Sequence, residues 1–295
     1  MNFIYKQYEK SEDHTPSPFR YPGGKFYALK HIMPFIACVP HDEYREPFVG
    51  GGSVFFGKTK AQISWINDLN TRIINVYNFI TNDDNRAKLV EILTNEIATK
   101  SRHKEIKDLV PSSIFEQVFQ TYYLNRTSYS GIINAPAWGY SDGKSSPPQN
   151  WGSFLNKAAE KLKNTKITNL DFEAVVKTPS KQKVLMYLDP PYYYADQKRA
   201  YEKSFTVTEH IRLAAALRNT NFYFCLSYDD CAEIRQLYDW ANIYEVSWLY
   251  NTKNCKRIKR KKGQEVIITN YQVFGSDKQY GKFEPYFFIN SGGRK

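Results

Sequence analysis

The amino-acid sequence predicts a mixed α/β protein: a Rossmann-like, doubly wound sheet with an antiparallel last strand, interrupted by an inserted helical module. Residues 184–188, VLMYL, form the continuous apolar run of a parallel strand that is covered on both faces. Strand and helix patterns alternate before residue 71 and again after residue 163. Two late strands, YEVSWLY and QEVIITNY, are joined by the loop KNCKRIKRKKG without a helix, and such strands normally run antiparallel.

The first elements contain two glycine-rich turns. The segment SPFRYPGGKFYALKHIMPFI places a Pro-Gly-Gly turn before a helix, and EYREPFVGGGSVFFGK predicts a short strand, a glycine triplet and a helix beginning near Ser53. The strand QISWINDLN ends at Asp68. A glycine triplet between strand and helix lets backbone amides approach a ligand, and an acid sixteen residues after Gly52 suits ribose hydroxyls. An ordinary strand-turn-helix corner with a surface acid is the alternative.

From about Thr71 to Lys163 the alternation stops. Charged helical stretches lead into YYLNRTSYSGIINAPAWGYSDGKSSPPQNW, a long loop rich in Gly, Pro, Ser and Asn. Long loops inside compact domains are usually functional. We therefore predict an α/β domain split into residues 1–70 and 164–295, with a mainly helical module inserted at residues 71–163.

The α/β alternation then returns. KITNLDF and VLMYL are predicted strands, and a helix over Thr206–Asn219 is opened by a Thr-x-x-Glu capping box. FYFCLSY is a further strand, DDCAEIRQLYDWA a helix, and YEVSWLY and QEVIITNY complete the sheet.

Composition limits the class of protein. The 295 residues carry a net charge of +11, which favours a polyanionic partner, although a basic surface can also serve solubility alone. The four cysteines form no CxxC pair and the five histidines no HExxH, so no metal is predicted. The polar N-terminus is unlike a signal peptide and no apolar stretch reaches membrane-spanning length, so we expect a soluble cytoplasmic protein.

Residues 52–59, GSVFFGKT, satisfy the phosphate-loop pattern GxxxxGK[ST]. A phosphate cradle needs an open loop that presents its amides, but here the loop glycines come first and SVFF has the character of a buried helical turn. We therefore expect a helix at this position and no nucleotide triphosphatase.

Asp189 and the two prolines that follow end the central strand. Prolines donate no backbone hydrogen bond and stiffen the residue before them. The Asp189 carboxylate and the Pro190 carbonyl can therefore serve as fixed acceptors for the two hydrogens of a nucleobase amine, while Tyr192 stacks on the base. The carboxyl end of a central strand is where open α/β sheets bind ligands. A strand-terminating turn with a chance acid is the alternative.

These motifs, in this order, resemble the Dam-like, alpha-group adenine-specific DNA methyltransferases, which use S-adenosylmethionine. SPFRYPGGK is similar to their N-terminal cofactor motif, EPFVGGGS to the glycine motif, NDLN to the ribose contact, LDF to the adenine contact and DPPY to the catalytic tetrapeptide. The resemblance covers most of residues 17–271 and implies a class I methyltransferase fold. It implies that the catalytic residues are Asp189, Pro190, Pro191 and Tyr192. It also implies cofactor contacts from Tyr21, Lys25, Phe48, Gly50, Gly52, Asp68, Asp171, Phe172 and Asp189.

The same resemblance implies double-stranded DNA as partner. It also implies that residues 1–70 and 164–295 form the catalytic, S-adenosylmethionine-binding domain and that residues 71–163 form a target-recognition domain. YYLNRTSYSG is similar to the start of a DNA-contacting loop, with Asn125, Arg126 and Tyr129 as contacts, and EVIITN matches the C-terminal strand. Two departures are Tyr21-Pro22, where many members have Trp-Ala, and IINAPAW, which lacks the expected basic residue. The loop 253–263 carries seven positive residues. It is either a phosphate clamp or a solvated hairpin tip. The clamp residues would be Lys256, Arg257, Lys259 and Arg260.

We predict an adenine-specific DNA methyltransferase that flips its target base, acts as a monomer and belongs to a restriction-modification system. A restriction endonuclease acting on the same site would be its partner, without a stable complex. Two alternatives remain at this point. One is an amino-methyltransferase acting on cytosine or RNA, and the other is a catalytically inactive, basic DNA-binding protein.

Overall fold

One seven-stranded sheet organises the protein. The computed structural model describes residues 14–21, 24–194, 205–248 and 263–273. Its strands are β1 Glu43–Glu46, β2 Ile63–Asn67, β3 Thr165–Thr168, β4 Val184–Leu188, β5 Tyr223–Asp229, β6 Asn242–Trp248 and β7 Gly263–Thr269. They lie in the order β3-β2-β1-β4-β5-β7-β6.

Strand direction agrees with the sequence-based prediction. β1 to β5 run parallel to one another, whereas β7 is antiparallel to both of its neighbours, β5 and β6. The predicted antiparallel last strand is thereby confirmed. From β1 the chain continues to β2 on one side of that strand, and it later returns to place β4 on the other side. The direction in which strands are added to the sheet therefore reverses between β1 and β4. Their carboxyl ends therefore border the crevice in which such sheets bind ligands.

Helices cover both faces of the sheet. They are α1 Leu29–Ala37, preceded by a 3-10 turn over Lys25–Ala28, α2 Ser53–Gly57, α3 Thr71–Ile80, α4 Asp83–Thr94, α5 Lys100–Asp108, α6 Ile114–Thr127, α7 Trp151–Leu162, α8 Phe172–Lys177, α9 Val207–Arg218 and α10 Ala232–Leu237. Along β4, Leu185 and Tyr187 join one hydrophobic core, and Met186 and Leu188 join the other. All five residues of β4 are buried, which explains its uninterrupted apolar sequence.

The predicted insert consists of α3 to α7 and the loop before α7. Tyr122 of α6 and Trp151 of α7 belong to the same hydrophobic core as Ile32 of α1 and Phe55 of α2. The helical segment therefore extends one face of the sheet layer. A domain boundary at Thr71 stays a prediction.

Three local predictions differ from the structure. Thr206 does precede α9, but its side chain makes no capping hydrogen bond. The LDF motif lies after β3, and Asp171 caps α8 by accepting a 2.9 Å bond from the Glu173 amide. Helix α10 is shorter than predicted because Tyr238 leaves the helical conformation and its ring is buried beside Tyr228.

The segment GSVFFGKT folds as the helix that its apolar residues predict. Ser53–Gly57 form α2, and Lys58 follows it with its ammonium 4.3 Å from the centre of the Tyr44 ring. Lys58 is only 6% exposed, so it is not placed to bind a phosphate in an open loop. None of the helices in the described ranges combines the length and apolar character needed to cross a bilayer.

Candidate active site

Asp189, directly after β4, is held through one of its two carboxylate oxygens. Lys25 Nζ lies 2.7 Å from Asp189 Oδ1, and Ser227 of β5 donates a 2.9 Å hydrogen bond to the same oxygen. Tyr187 hydroxyl lies 2.9 Å from the Ser227 hydroxyl, which extends the network into the core. Among the described residues, nothing donates to Asp189 Oδ2 or to the Pro190 carbonyl. Two fixed acceptors therefore remain at the end of the strand.

Tyr192 completes the tetrapeptide and touches the same lysine. Lys25 Nζ lies 4.7 Å from the centre of the Tyr192 ring, a cation–π distance. The Tyr192 hydroxyl donates to Glu265 Oε2 of β7. The backbone amides of Tyr193 and Tyr194 donate to the two carboxylate oxygens of Asp229. The segment after the prolines is thus held through the side chain of Tyr192 and through the backbone of the next two residues.

Glu265 is a buried acid with an unusual protonation equilibrium. Its side chain is 2% exposed, and its Oε1 has no hydrogen-bond partner within the described residues. Burial raises the pKa of Glu265 to about 7, although the Lys25 charge and the Tyr192 hydroxyl act to lower that pKa. Asp189 and Asp229 raise the pKa further by repulsion.

This pKa predicts how stability depends on pH. An unfolded glutamate releases its proton above about pH 4.5, whereas folded Glu265 keeps it to about pH 7, so the unfolded state gains stability as pH rises between these values. The wild type should lose on the order of 3 kcal/mol of unfolding free energy from this group over that window. Glu265→Gln should lack the loss. Urea unfolding of both proteins at pH 5 and pH 8 measures this change in unfolding free energy. An equal change in the wild type and in Glu265→Gln would contradict a pKa of about 7 for Glu265.

The glycine motif adopts the conformations that only glycine accepts readily. Gly50 has φ +45° and Gly52 has φ +70°. Tyr21 packs directly on the loop, since a Cβ atom on Gly51 would lie 2.6 Å from the Tyr21 Cβ. Asp68 Oδ2 accepts a 2.7 Å bond from the Gly50 amide, and Oδ1 accepts one from Asn70. The structure therefore brings Tyr21, the glycines and Asp68 together.

Aromatic rings form a second part of the site. Phe48 and Phe172 are stacked with their centres 5.4 Å apart, and Phe205, which no sequence motif indicated, contacts both. Asp171 accepts a 3.0 Å bond from Arg212, whose guanidinium lies 5.1 Å from the centre of the Phe172 ring. Such rings and acids suit an adenine and its amino group.

The residues predicted to contact DNA differ in their exposure to solvent. Tyr129 is 52% exposed. Asn125 is fully buried; its Oδ1 accepts from the Arg20 amide and its Nδ2 donates to the carbonyls of Arg20 and Gly131. Arg126 is 8% exposed, with its guanidinium 4.8 Å from the Phe154 ring centre. DNA contact by these residues stays a prediction, and for Asn125 the structure shows a bracing role. Lys256, Arg257, Lys259 and Arg260 lie outside the described residues.

Sequence reasoning missed Arg20, Ser227 and Glu265. Arg20 donates to the Arg126 carbonyl, and the pKa of Arg20 is lowered by burial and by the Arg126 charge. Neither guanidinium has a carboxylate partner within the described ranges. Arg20 stands inside SPFRYPGGK and Glu265 inside EVIITN, but no spacing rule connects either residue to its contacts. In the same ranges, no three His, Cys, Asp or Glu side chains form a group that could hold a metal ion.

Comparison with known proteins identifies related chains. The family of D12 class N6 adenine-specific DNA methyltransferases matches residues 21–252. Type II methyltransferase M1.LlaDCHI of Lactococcus lactis subsp. cremoris is 28% identical, over 86% of this chain and 95% of that protein. Type II methyltransferase M.MjaIII of Methanocaldococcus jannaschii is 29% identical, over 78% and 88%. DNA adenine methylase of Salmonella typhi is 24% identical, over 77% and 85%. The family match contains Lys25, Asp68, Asp189 and Ser227 and ends before Glu265.

Proposed function

We propose that this chain, which belongs to the D12 class of N6 adenine-specific DNA methyltransferases, binds S-adenosylmethionine beside the glycine motif and methylates an adenine held by Asp189 and Pro190. The target would be flipped out of duplex DNA, because the exocyclic nitrogen of a stacked base cannot reach such a crevice.

The residues present fit S-adenosylmethionine. Asp68 lies beside the Gly50 amide, and its carboxylate is an acceptor group at the end of β2. This suits the ribose hydroxyls. Phe48 and Phe172 offer apolar faces for the adenine, with Asp171 at their edge. When bound, the cofactor supplies an electrophilic methyl group, while Tyr21 and the glycines shape the loop beside it.

The open acceptors at the end of β4 carry the proposal. Lys25 and Ser227 both bind Asp189 Oδ1, so Oδ2 and the Pro190 carbonyl are left to accept the two hydrogens of the target amine. Held by two acceptors, the nitrogen becomes more pyramidal and directs its lone pair to one side. Asp189 Oδ2 is also the adjacent base when the amine loses a proton. This preorganisation lowers the barrier because no group must reorient during transfer.

Methyl transfer from labelled S-adenosylmethionine to unmethylated duplex DNA, followed by nucleoside analysis, tests the function. N6-methyladenine as the product supports it. N4-methylcytosine, methylated RNA alone or no product would support one of the two alternatives. A cofactor titration then separates an inactive DNA-binding protein, which would not bind S-adenosylmethionine, from an enzyme that lacks its DNA site.

We also propose that Arg20 and Arg126 meet a DNA phosphate beside the exposed Tyr129. Two neighbouring guanidiniums without a carboxylate among the described residues form a site that an anion would stabilise. Arg20 lies in the N-terminal cofactor motif and Arg126 lies at the end of α6. The Asn125 side chain joins these two segments by its hydrogen bonds to the Arg20 backbone. Lys256, Arg257, Lys259 and Arg260 are proposed as further phosphate contacts.

Salt dependence measures these phosphate contacts. The slope of log K against log salt is negative, and Arg20→Gln should reduce its magnitude by about 0.9 for each phosphate that is no longer neutralised. The preferred DNA sequence should stay unchanged. Changing Lys256, Arg257, Lys259 and Arg260 together to Ala should reduce the magnitude of the slope by more. Arg235→Gln is the matched control, because Arg235 is already paired with Asp230 and Glu245. A wild-type slope in the Arg20 variant would contradict the phosphate contact.

Two of the relatives named above are Type II methyltransferases, and we propose that this chain likewise acts in a restriction-modification system. Plasmid DNA from an expressing strain should resist one restriction endonuclease whose site contains the methylated adenine, and it should be cut after expression of Asp189→Ala. Plasmid DNA that every endonuclease of a broad panel still cuts, despite its N6-methyladenine, would contradict a role in protection against restriction.

A further inference from the structure

We infer that Glu265 is a positioning residue for the methyl transfer, acting on the Asp189 carboxylate through Tyr192 and Lys25. The inference rests on the proposed function, because it takes Asp189 as the acceptor of the target amine. Glu265 lies on β7, outside the residues matched by the family and at the far side of β5 from Asp189.

A continuous chain of contacts joins the two acids. The Glu265 carboxylate accepts from the Tyr192 hydroxyl, the face of the Tyr192 ring holds the Lys25 ammonium, and that ammonium pairs with Asp189 Oδ1. Each step fixes the next group. If the Tyr192 ring turned, the ammonium would lose its aromatic neighbour and Asp189 would lose a fixed partner.

The sheet register makes Glu265 part of a rigid frame. Glu265 pairs directly with Asp229 across β5 and β7 and with Val246 across β6 and β7. Asp229 holds the amides of Tyr193 and Tyr194, so facing residues on adjacent strands secure both ends of the segment after the prolines. Tyr192 is therefore positioned by two strands that carry none of the catalytic tetrapeptide.

The cost of burying Glu265 argues against a purely structural role. Its Oε1 is buried with no partner within the described residues, and an unpaired buried carboxylate oxygen destabilises a fold. A residue selected for stability alone would be an amide or an apolar side chain at this position.

The charges around Glu265 make its action depend on pH. Lys25 from the first turn, Asp189 and Tyr192 after β4 and Asp229 at the end of β5 all act on its pKa, and Val246, its partner on β6, is apolar. With a pKa of about 7, Glu265 is half ionised near neutrality and becomes mostly ionised as the pH rises above it. The ionised form is the stronger acceptor for the Tyr192 hydroxyl. The transfer rate should therefore rise through about pH 7.

The test compares Glu265→Ala, Glu265→Gln and Tyr192→Phe in single-turnover methylation of unmethylated duplex DNA from pH 6 to 8.5. Glu265→Ala should lower the rate constant by about 10- to 100-fold, the scale of a small misplacement of the reacting groups. The affinity for DNA, measured by a binding titration, should change little. Glu265→Gln should recover part of that rate. Its rate should no longer rise through about pH 7, so it should lack this limb of the pH–rate profile. Combining Glu265→Ala with Tyr192→Phe should add no further loss, because both remove one hydrogen bond.

Glu245→Ala, an acid of the neighbouring strand paired with Arg235, is the matched control and should behave as the wild type. A wild-type rate for Glu265→Ala, additive losses in the double variant, or an unchanged pH limb in Glu265→Gln would each overturn the inference. Failure of the wild type itself to methylate adenine would instead refute the proposed function. Unfolding midpoints and cofactor affinity identify a variant that has merely lost its fold.

Discussion

Asp189→Ala should lower the single-turnover rate of adenine methylation by at least about 10²–10³-fold, the cost of removing one preorganised hydrogen-bonding group. The residue supplies the Oδ2 acceptor at the end of β4, and the substitution removes this acceptor together with its negative charge. The loss should fall on the chemical step. Affinity for duplex DNA should change little, because the proposed phosphate contacts lie on other segments.

The fold should survive this substitution. Val184–Leu188 are buried on both sheet faces, and Pro190 and Pro191 still end the strand. Asp189→Asn is the informative companion, since its amide oxygen can still accept from Ser227 but the negative charge is gone. A rate for Asn between those of Ala and wild type would separate hydrogen bonding from charge. Near-normal transfer by a folded Asp189→Ala protein would eliminate the proposed mechanism.

Most of the fold could be predicted because its determinants are local. The apolar run of β4, the glycine triplet before α2 and the helix-free link before β7 each specify structure within about a dozen residues. Phe48 and Phe172, and Gly50 and Asp68, could be assigned to one site from their motifs, and the structure places each pair in contact. Parallel strands bring their carboxyl ends to one edge whatever the chain between them contains.

Contacts between distant segments could not be predicted in the same way. Asn125 looks like an exposed polar residue beside a loop, but its amide satisfies the backbone of Arg20, which is 105 residues away. Glu265 reads as one polar position of an antiparallel strand, and its role emerges only when β7 is placed between β5 and β6. The pairing of Lys25 with Asp189 likewise joins two motifs whose spacing carries no information about distance.

Lys25→Met should give the second large effect, a loss of about 100-fold in the transfer rate on the scale expected for a misplaced reacting group. Lys25 is 5% exposed and is the cation that contacts both Asp189 and the Tyr192 ring. Without it, the Ser227 hydrogen bond is the contact that Asp189 keeps among the described residues, and Tyr192 loses the ammonium on its ring. Cofactor affinity, measured in parallel, tests the sequence-based prediction that Lys25 also binds S-adenosylmethionine.

The pH dependence of this variant distinguishes charge from shape. The Lys25 charge lowers the pKa of Glu265, so its removal should raise that pKa above about 7 and move the acid limb of the rate profile to higher pH. Lys25→Arg keeps the charge, so its limb should stay in place even if the different head group slows transfer. An unmoved limb in Lys25→Met would show that the lysine does not act on Glu265.

Stability offers a check that is independent of catalysis. Lys25→Met removes the charge that pairs with Asp189 and lowers the pKa of Glu265, so the repulsion between these two acids should lower the unfolding midpoint most above pH 7. Adding Glu265→Gln removes one of these acids, so the double variant should regain the midpoint while remaining slow, because Asp189 still lacks its partner. A double variant that recovers both stability and rate would mean that Lys25 serves only to neutralise Glu265. One that recovers neither would mean that the lysine is required for packing.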